Sequence, residues 1–589
     1  MSPSEIEKIL HRRFSGIRPA RRGLKDKPIT IGFDIETCDG IPYILGIEST
    51  SGGESQAIGP GEGLPRLLQW VKRQAHRHGH RPVMAGAHNL RFDLGALFYD
   101  WRIAQGKEFP AESDDLRDDI EGGRFHLWIG TVSFATFRWG HYTVNFIDTF
   151  AYFKSSLIRA VASLGLGDTK ADFPGRHEAE WYSKRFPLNE IGPYCLQDAH
   201  LARLLLDQIV DWWMVFGIRS SISGPQMAGR IFCKEFVERP WVKIPETAMA
   251  LSLFSYHGGR NLFTGEAGWF DDLRAYDVNS AYTWAMTKIP DMTEGVWEAG
   301  VDEPESGSWG FVVFLGRLPR TAYPVLYDHS FAPYWGGEEV TEAQAVTTME
   351  WDLMKAVAQD WHPREIGWVC WRPSRKGPSD LARYAVSMWQ RRQMAGNEVE
   401  QTLYKFLSNS LYGKFIARSP NEDGTMYTGA LFYPPVASWI TALVRTLVIK
   451  AEFGYECLHT ATDGVMTLQT IPTSSELGGM KLECEGPALI FRNKLYLHWD
   501  RAGKLQKMAK HGFQGNLDLL LTMLREGRRG YGRKRLRGWR EAKRHGSRPF
   551  APITVPMELH LEDGVWTRIV QQSQAEPYRS LVASALDLA

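Results

Sequence analysis

The sequence predicts an α/β protein with several domains. Its 589 residues are about four times the length of an average domain, and strand-like and helix-like hydrophobic patterns alternate along the chain. The content of 43% hydrophobic and 23% charged residues is typical of a chain that buries a large core. Glycine and proline, at 56 and 31 residues, follow no period, which excludes collagen-like and low-complexity classes.

Local patterns predict the individual elements. Residues 29–38 and 41–48 predict two strands joined by a glycine turn, and residues 273–278 predict another strand. Residues 198–218 predict a long amphipathic helix that closes a first domain near residue 215. Residues 304–379 are rich in Gly, Pro and Trp and predict connecting structure. Further helices are predicted at 381–394, 398–415 and 437–453, followed by a strand–turn–strand at 457–470.

The cysteines and the hydropathy of the chain indicate the cellular compartment in which it works. The six cysteines are scattered and form no C-x-x-C pair, so we expect neither a disulfide framework nor a zinc site. No apolar run reaches the roughly 18 residues of a membrane span, and residues 1–28 lack the apolar core of a signal peptide. We therefore expect a cytoplasmic protein with no membrane contact.

Positive charge is concentrated in two segments, although the net charge is only +1. Residues 1–28 form a basic arm with eight Lys or Arg against three acids, and residues 525–548 carry eleven against two. Tyr531 and Trp539 lie among the latter cations. Such a pattern favours nucleic-acid phosphates with aromatic stacking, but it is equally typical of a solvated basic face.

Four acidic residues of the N-terminal part predict a metal site. Asp34 and Glu36, at i and i+2 of a strand, point to one face, where like charges repel unless a cation lies between them. Asp93 and Asp198 add two further carboxylates. Together these groups could hold two Mg²⁺ or Mn²⁺ ions that activate a water and stabilise a leaving oxygen. Tyr194 would orient that water, while Asn89 and Phe92 would bind and stack a terminal nucleotide.

The order of these residues resembles a known family. D-x-E, N-x-x-F-D (one residue shorter than the usual N-x-x-x-F-D) and Y-x-x-x-D are similar to the three motifs of proofreading 3′–5′ exonucleases in DNA polymerases. The segment from His88 to Asp93 resembles the second of these motifs as it occurs in protein-primed family B enzymes. The resemblance implies a ribonuclease H-like domain over 29–215. It also implies contacts to single-stranded DNA by Thr37, Ser156 and Leu157, and a catalytic lysine at Lys170.

Three segments of the second half carry the groups that nucleotidyl transfer needs. Asp277 ends a strand and Asp463 lies at a hairpin tip, so two carboxylates could hold paired metals that activate a 3′-hydroxyl. Lys405, Asn409 and Tyr412 fall at i, i+4 and i+7 of one helix and therefore share a face. A lysine supplies charge to phosphates, and an aromatic ring packs on base and sugar. Taken singly, each residue is also explained as a turn or core residue.

Taken in order, these segments resemble motifs A (D-x-x-S-L-Y-P), B (K-x-x-x-N-S-x-Y-G) and C (Y-x-D-T-D-S) of family B DNA polymerases. The segment from Tyr256 to Gly259 resembles the Y-x-G-G link between exonuclease and polymerase domains. The segment from Lys494 to Tyr496 resembles the K-x-Y element at the primer terminus. The resemblance implies a template-directed DNA polymerase with a 3′–5′ exonuclease and two Mg²⁺ or Mn²⁺ ions per active site. Such enzymes replicate small genomes of phages, plasmids or other mobile elements in a prokaryotic or equivalent cell.

The resemblance also assigns residues to roles. Val278 joins Asp277 and Asp463 at the polymerase metals. The ring of Tyr282 leaves no room for a 2′-hydroxyl, the group that separates RNA from DNA precursors. Nucleotide contacts are implied for Tyr282, Asn409, Tyr412, Arg391 and Arg392, although a solvated helix face explains the two arginines equally well. DNA contacts are implied for Tyr256, Gly258, Gly259, Ser280, Gly413, Thr462, Lys494 and Tyr496.

The implied domain plan places a polymerase domain over 216–589. Its parts are a palm (250–303 and 437–500), an insertion (304–380), fingers (381–420) and a thumb (510–589). In protein-primed members the insertion contacts the priming protein. The expected partners of a monomeric enzyme are therefore primer–template DNA, dNTPs and a terminal priming protein.

The chain departs from the family pattern within motifs A and C. Ala461 stands where motif C has its first aspartate, Gly464 replaces a serine, and Thr283 replaces a proline. Because Ala461 cannot bind a metal, we expect Asp277 and Asp463 to suffice, with weaker or more Mn²⁺-tolerant binding. Only 17 residues separate Phe415 from Tyr433, so the strand-displacement hairpin would be abbreviated.

Three alternatives stay open. The chain could be an exonuclease whose impaired palm only grips DNA, or a structural DNA-binding subunit with no activity. The T-D-G form of motif C also resembles primer-independent family B polymerases, although this chain is shorter than those typically are.

Overall fold

The computed structural model describes residues 9, 17–20, 23–79, 81–107, 115–130, 132–166, 172–173, 183–317, 321, 323–326, 339–358, 361, 363–420, 426–538, 541–542, 551–561 and 564–587. Within these ranges, no helix is both long enough and apolar enough to cross a membrane.

The first part of the chain forms a mixed sheet with the order β3-β2-β1-β4-β8-β7-β6-β5. Strands β1 and β4, and β4 and β8, run parallel, and the other neighbours are antiparallel. The strands are β1 (Ile29–Cys38), β2 (Ile41–Ser49), β3 (Gly52–Ala57), β4 (Val83–Ala87), β5 (Asp115–Ile120), β6 (Gly123–Trp128), β7 (Phe134–Trp139) and β8 (Tyr142–Asp148). Both predicted strands at the start of the chain are confirmed.

Helices cover this sheet. They are α1 (Gly63–Arg77), α2 (Leu90–Ala104), α3 (Phe150–Phe153), α4 (Leu157–Ser163) and α5 (Leu188–Val215). Helix α5 begins ten residues before the predicted start, so the expectation that Asp198 opens it is wrong. Pro193 lies inside the helix, whereas its ring normally ends a helix or restricts it to the first turn. The hydrophobic periodicity of this helix could therefore be recognised only in the residues that follow Pro193.

Glycine allows α5 to approach β1 and β2 closely. A Cβ on Gly32 would lie 1.9 Å from the carbonyl oxygen of Ala199, and one on Gly46 would lie 2.7 Å from that of Cys195. This contact sets the helix that carries Asp198 directly over the strand that carries Asp34.

We expect Gly32→Ala to displace α5 and to reduce any nuclease activity of this domain by about 100-fold, because small displacements of reacting groups are costly. DNA synthesis should stay within twofold. Gly454→Ala is the matched control, since a Cβ there meets open space. Equal nuclease rates for both variants, measured on labelled single-stranded DNA, would show that the close approach is dispensable.

A second sheet has the order β21-β20-β19-β10-β18-β17-β9. Its strands are β9 (Arg260–Phe263), β10 (Gly268–Val278), β17 (His459–Thr462), β18 (Gly464–Thr467), β19 (Met480–Arg492), β20 (Leu495–Trp499) and β21 (Leu505–Lys510). The predicted hairpin around Asp463 is confirmed as β17 and β18, which pair antiparallel with Asp463 as the single residue between them.

Mainly helical structure packs around this second sheet. The helices are α6 (Gly224–Ile231), which continues as a π-helix (Phe232–Phe236), α7 (Glu246–Phe254), α8 (Ala281–Lys288), α10 (Asp380–Met394), α11 (Glu398–Ser410), a 3₁₀-helix (Tyr412–Ile416) and α12 (Pro434–Tyr455). The predicted helix over 398–415 thus ends at Ser410, and the turn that carries Tyr412 is wound more tightly.

Residues 304–379, predicted as an insertion and connecting structure, contribute three strands to a sheet, so the prediction of connecting structure is wrong. Strands β11 (Gly295–Gly300), β12 (Trp309–Arg317), β13 (Glu339–Thr347) and β14 (Arg364–Pro373) pair in the order β11-β14-β12-β13, and α9 spans Thr348–Val357. One face of this sheet presents Trp297, Trp309 and Phe311 to Trp439 of α12, with ring centroids 5.6–6.0 Å apart. Aromatic residues on this face and glycines at Gly300, Gly310 and Gly367 obscured the strand alternation.

Smaller elements complete the chain. A short hairpin consists of β15 (Arg418–Pro420) and β16 (Met426–Thr428), and the C-terminal part contains α13 (Leu517–Glu526), β22 (Gly530–Leu536), β23 (Pro552–Glu558), α14 (Val565–Gln574) and α15 (Tyr578–Asp587). Tyr531 is buried against Phe513, and its hydroxyl accepts the backbone N–H of Gln514 at 3.2 Å. It is therefore a core residue, and its predicted stacking role is wrong; Trp539 lies outside the described residues.

Candidate active sites

The first site gathers the carboxylates predicted from the N-terminal part. Asp34 and Glu36 project from β1 toward α5, and their oxygens lie within 4.8 Å of the Cys195 sulfur. Asp93, in the first turn of α2, is 3% exposed. Burial, together with the charges of Asp34, Asp148 and Glu36, raises the pKa of Asp93. The structure therefore brings acids from β1 and α2 together.

Helix α5 adds the fourth acid and a tyrosine. Tyr194 and Asp198 lie one turn apart, and the tyrosine hydroxyl is hydrogen-bonded to the aspartate. Burial and the charges of Asp198, Glu36 and Asp34 raise the pKa of Tyr194. The hydroxyl therefore stays protonated and faces the same acids. Cys195 was not predicted from the sequence; its buried thiol donates to the Asp34 carbonyl oxygen at 3.4 Å.

A further carboxylate, Asp148, was missed by sequence reasoning. It ends β8 and accepts the backbone N–H groups of Asn89 and Phe150, each at 3.1 Å. Asn89 takes the left-handed conformation (φ 93°), in which Asn is several-fold enriched. Asp148 thus holds the turn that presents Asn89, and a carboxylate at a strand end was the available signal.

The implied DNA contacts of this domain fall at different places. Phe92 is half-buried beside Asn89, and Thr37 follows a β-bulge after Glu36. Ser156 is exposed at the N-terminus of α4, whereas Leu157 is buried in the core. Phe150, 37% exposed and tied to the Asn89 turn through Asp148, is an apolar side chain open to solvent near Asn89. Lys170 lies outside the described residues.

The second site joins Asp277 and Asp463. Asp277 pairs with Gly464 across β10 and β18, and the Val278 N–H donates to the Asp463 carbonyl at 3.0 Å. A Cβ on Gly464 would lie 3.3 Å from Asp277 Oδ1, so glycine keeps space beside the carboxylate. Burial and the charge of Asp463 raise the pKa of Asp277 to about 7. Of Val278, only the carbonyl oxygen could serve as a metal ligand.

Glu483 is a third acid at this site that the sequence did not reveal. The register between β10 and β19 shifts between Ala275 and Tyr276, and this bulge contains Glu483. Its charge raises the pKa of both Asp277 and Asp463. The amine of Lys507 on β21 pairs with Glu483 at 2.7 Å. A bulge between distant strands leaves no mark in a local pattern.

Both sites offer the oxygen donors that Mg²⁺ and Mn²⁺ prefer. In each, burial and neighbouring acids raise carboxyl pKa values, namely those of Asp93, Asp277 and Asp463. Divalent cations would relieve this repulsion. The residues present therefore fit the predicted metals.

Two stacked tyrosines lie beside the second site. The rings of Tyr282 and Tyr412 are 4.2 Å apart and inclined by 10°. A Cβ on Gly259 would lie 3.1 Å from the Tyr282 hydroxyl and 2.6 Å from Thr462 Cγ2, so only glycine fits between them. Lys405 and Asn409 are exposed on α11, and a Cβ on Gly413 would meet open space.

The two predicted finger arginines point to different neighbours. Arg392 donates to Ser280 Oγ at 3.2 Å, within motif A, and burial lowers the pKa of Arg392. Arg391 pairs with Glu235 at 3.4 Å and lies over Phe216. The structure therefore brings Arg392 to the site and directs Arg391 toward the link with the first domain.

A buried ion pair holds the Tyr256–Gly259 segment. Arg445 of α12 pairs with Glu350 of α9 at 2.6 Å and also donates to the carbonyl oxygens of His257 and Gly258. Both side chains are at most 3% exposed. This pair, which the sequence did not reveal, fixes the segment against the insertion.

Comparison with solved structures shows which known fold the chain adopts. Phi29 DNA polymerase with primer–template DNA and incoming nucleotide substrates aligns with a TM-score of 0.65 at 15% identity, covering 91% of this chain and 100% of that chain. Phi29 DNA polymerase with single-stranded DNA aligns at 0.64 and 14%, covering 86% and 96%. The fold is therefore that of a DNA polymerase in which an exonuclease domain precedes palm, fingers and thumb.

The family match is independent of the fold. Residues 171–428 match the family described as DNA polymerase type B, organellar and viral. No curated protein sequence is a significant match. Residues 171–428 thus resemble the organellar and viral type B DNA polymerases, and the fold is that of phi29 DNA polymerase, so the predicted resemblance and the predicted fold class are confirmed.

Proposed function

We propose that this chain is a template-directed DNA polymerase that adds dNMPs to a 3′-hydroxyl and proofreads with its own 3′–5′ exonuclease. The observation that carries the proposal is the meeting of Asp277 and Asp463 beside the stacked tyrosines. Bound Mg²⁺ or Mn²⁺, two per active site, would activate the 3′-hydroxyl and clamp the triphosphate.

Different side chains of the second site have different proposed roles in DNA synthesis. Asp277 and Asp463 hold the metals, with Glu483 and Lys507 adjusting the local charge. Lys405 and Arg392 attract the phosphates, and Tyr282 with Tyr412 supports base and sugar. Asn409 completes the nucleotide pocket. The primer–template contacts proposed from the motifs are Tyr256, Gly258, Gly259, Ser280, Gly413, Thr462, Lys494 and Tyr496.

The first site is proposed to remove the terminal nucleotide. Asp34, Glu36, Asp93 and Asp198 hold the metals, and the protonated Tyr194 hydroxyl orients the attacking water. Asn89, Phe92 and the neighbouring Phe150 receive the single-stranded end. Exonuclease over 29–215 and polymerase over 216–589 remain the proposed domains.

A primer-extension assay tests the proposal. We expect labelled dNTPs to be incorporated on a recessed primer with Mg²⁺ or Mn²⁺, and single-stranded DNA to be degraded from its 3′ end. Ala461→Asp, which restores the missing motif C carboxylate, should raise synthesis if metal binding limits it. Degradation without incorporation by either protein would favour the nuclease with an impaired palm.

Priming mode is tested on circular single-stranded DNA with and without a primer. Synthesis without a primer would favour the self-starting alternative. Strict dependence on a primer or priming protein would support a primer-dependent or protein-primed polymerase. Our proposal for its setting, a monomeric, cytoplasmic replicase of a phage, plasmid or other mobile element, rests on the family resemblance.

Tyr282→Val should weaken discrimination against ribonucleotides, because the ring occupies the space of a 2′-hydroxyl. We expect the ratio of kcat/KM for dNTP over NTP to fall at least about tenfold, equivalent to about 1.4 kcal/mol. Tyr282→Phe, which keeps the ring, is the control and should retain the ratio. Unchanged selectivity in both variants would remove Tyr282 from this role.

A further inference from the structure

We propose that His459 is a positioning residue that fixes Lys494 against the hairpin of Asp463, an inference that rests on the polymerase function proposed above. His459 begins β17 and is 2% exposed. Its Nε2 accepts the backbone N–H of Lys494 at 3.1 Å. Because a backbone N–H can only donate, this ring nitrogen is unprotonated and the imidazole is neutral.

The imidazole of His459 stays uncharged near neutral pH. Burial and the charges of Lys494 and Lys507 lower the pKa of His459 to about 4. The acceptor is therefore available throughout the neutral range, and the contact works as a fixed clamp.

Lys494 needs such support because its backbone is held in a disfavoured conformation. It lies in the turn between β19 and β20 with φ 57°, a left-handed geometry that residues with a Cβ rarely adopt. Its carbonyl oxygen accepts the His511 N–H at 2.9 Å. The backbone of Lys494 is thus bound on one side by His459 and on the other by His511.

This backbone geometry directs the Lys494 amine to the second site. Its Nζ lies 3.4 Å from Thr462 Oγ1, one residue before Asp463. The His459 ring also contacts the edge of Tyr496, with centroids 5.4 Å apart. One imidazole therefore touches both ends of the Lys494–Tyr496 segment and sets it against the hairpin, where a cation would meet the terminal phosphate of a primer.

His459 could instead be a packing residue of the core that has no effect on Lys494. Substitutions distinguish this packing role from the proposed positioning role. His459→Phe keeps the ring but removes the acceptor, whereas His459→Gln keeps an acceptor near the Nε2 position. Phe263→Leu is the packing control, since this ring borders His459 on the other side at 6.1 Å. Binding of a fluorescent primer–template, followed by anisotropy, is the readout, with KM for dNTP and kcat measured alongside.

We expect His459→Phe to weaken primer–template binding about tenfold, the scale of one lost hydrogen bond, with KM for dNTP within twofold. His459→Gln should restore most of the affinity, and Phe263→Leu should retain it. In a Lys494→Ala background, His459→Phe should change affinity less than twofold, because the amine it positions is gone.

Equal losses in the presence and absence of Lys494, or equal losses for Phe263→Leu, would overturn the inference and leave His459 a packing residue. Unchanged binding by His459→Phe would overturn it as well. Failure of the proposed function gives a different result. If the wild-type protein extends no primer, the proposed DNA synthesis is refuted, regardless of how the His459 and Lys494 variants bind primer–template.

Discussion

Asp463→Asn is expected to abolish DNA synthesis while leaving exonuclease activity intact. The change removes one of two carboxylates that meet where the β17–β18 turn lies beside the end of β10, and loss of a metal-holding or charge-stabilising group costs up to about a thousandfold in rate. The acids proposed for the nuclease site lie on β1 of the first sheet and on helices α2 and α5, which cover that sheet. Primer extension and 3′ degradation should be measured on the same preparation.

Asp34→Ala provides the reciprocal control. It should remove degradation by a comparable factor and leave the extension rate of a correctly paired primer within twofold. If Asp463→Asn extends primers at the wild-type rate, the catalytic assignment of the palm is wrong. If both variants lose both activities, the two sites are not independent.

Asp277→Asn is expected to stabilise the metal-free protein while it destroys synthesis. The folded-state pKa of Asp277 is raised to about 7, so the folded protein binds this proton more tightly than the unfolded chain. Stability contributed by that proton is therefore present at low pH and is lost as pH rises from about 4 to about 7. Because the group is partly solvated, we assign about 1–2 kcal/mol to the effect.

Thermal unfolding with a chelator at two pH values tests this expectation. At pH 8 Asp277→Asn should raise Tm by about 2–4 °C, and at pH 5, where most of the wild-type carboxyl is still protonated in the folded state, the gain should fall to about a third of that value. Mg²⁺ should stabilise the wild type more than the variant. Glu305→Gln, at an exposed acid of the insertion, is the control, and an equal gain at both pH values would rule out the proton linkage.

Site residues could be predicted from the sequence where they belong to a short local pattern. Asp34 and Glu36 alternate on one strand, and Asp277 and Asp463 end a strand and a hairpin, so their meeting could be predicted from a few residues each. Glu483 depends on a bulge between strands 200 residues apart, and the Asp148 and His459 contacts depend on backbone donors distant in sequence. Such contacts exist only once the register of the sheets is set.

The same limit explains the two wrong element predictions. Pro193 concealed the first turns of α5, and the aromatic and glycine residues of 295–373 concealed four strands. In both, tertiary packing stabilises segments whose local preference is ambiguous.

The tryptophan cluster around Trp439 has a consequence for how this chain can be altered. Since Trp309 and Phe311 of the insertion, together with Trp297 of the adjoining strand β11, share their core with the long helix α12, the insertion cannot be removed as an independent unit. Its removal would open an indole-sized void beneath the catalytic scaffold, and a chimaera that exchanges it between relatives must carry α12 along.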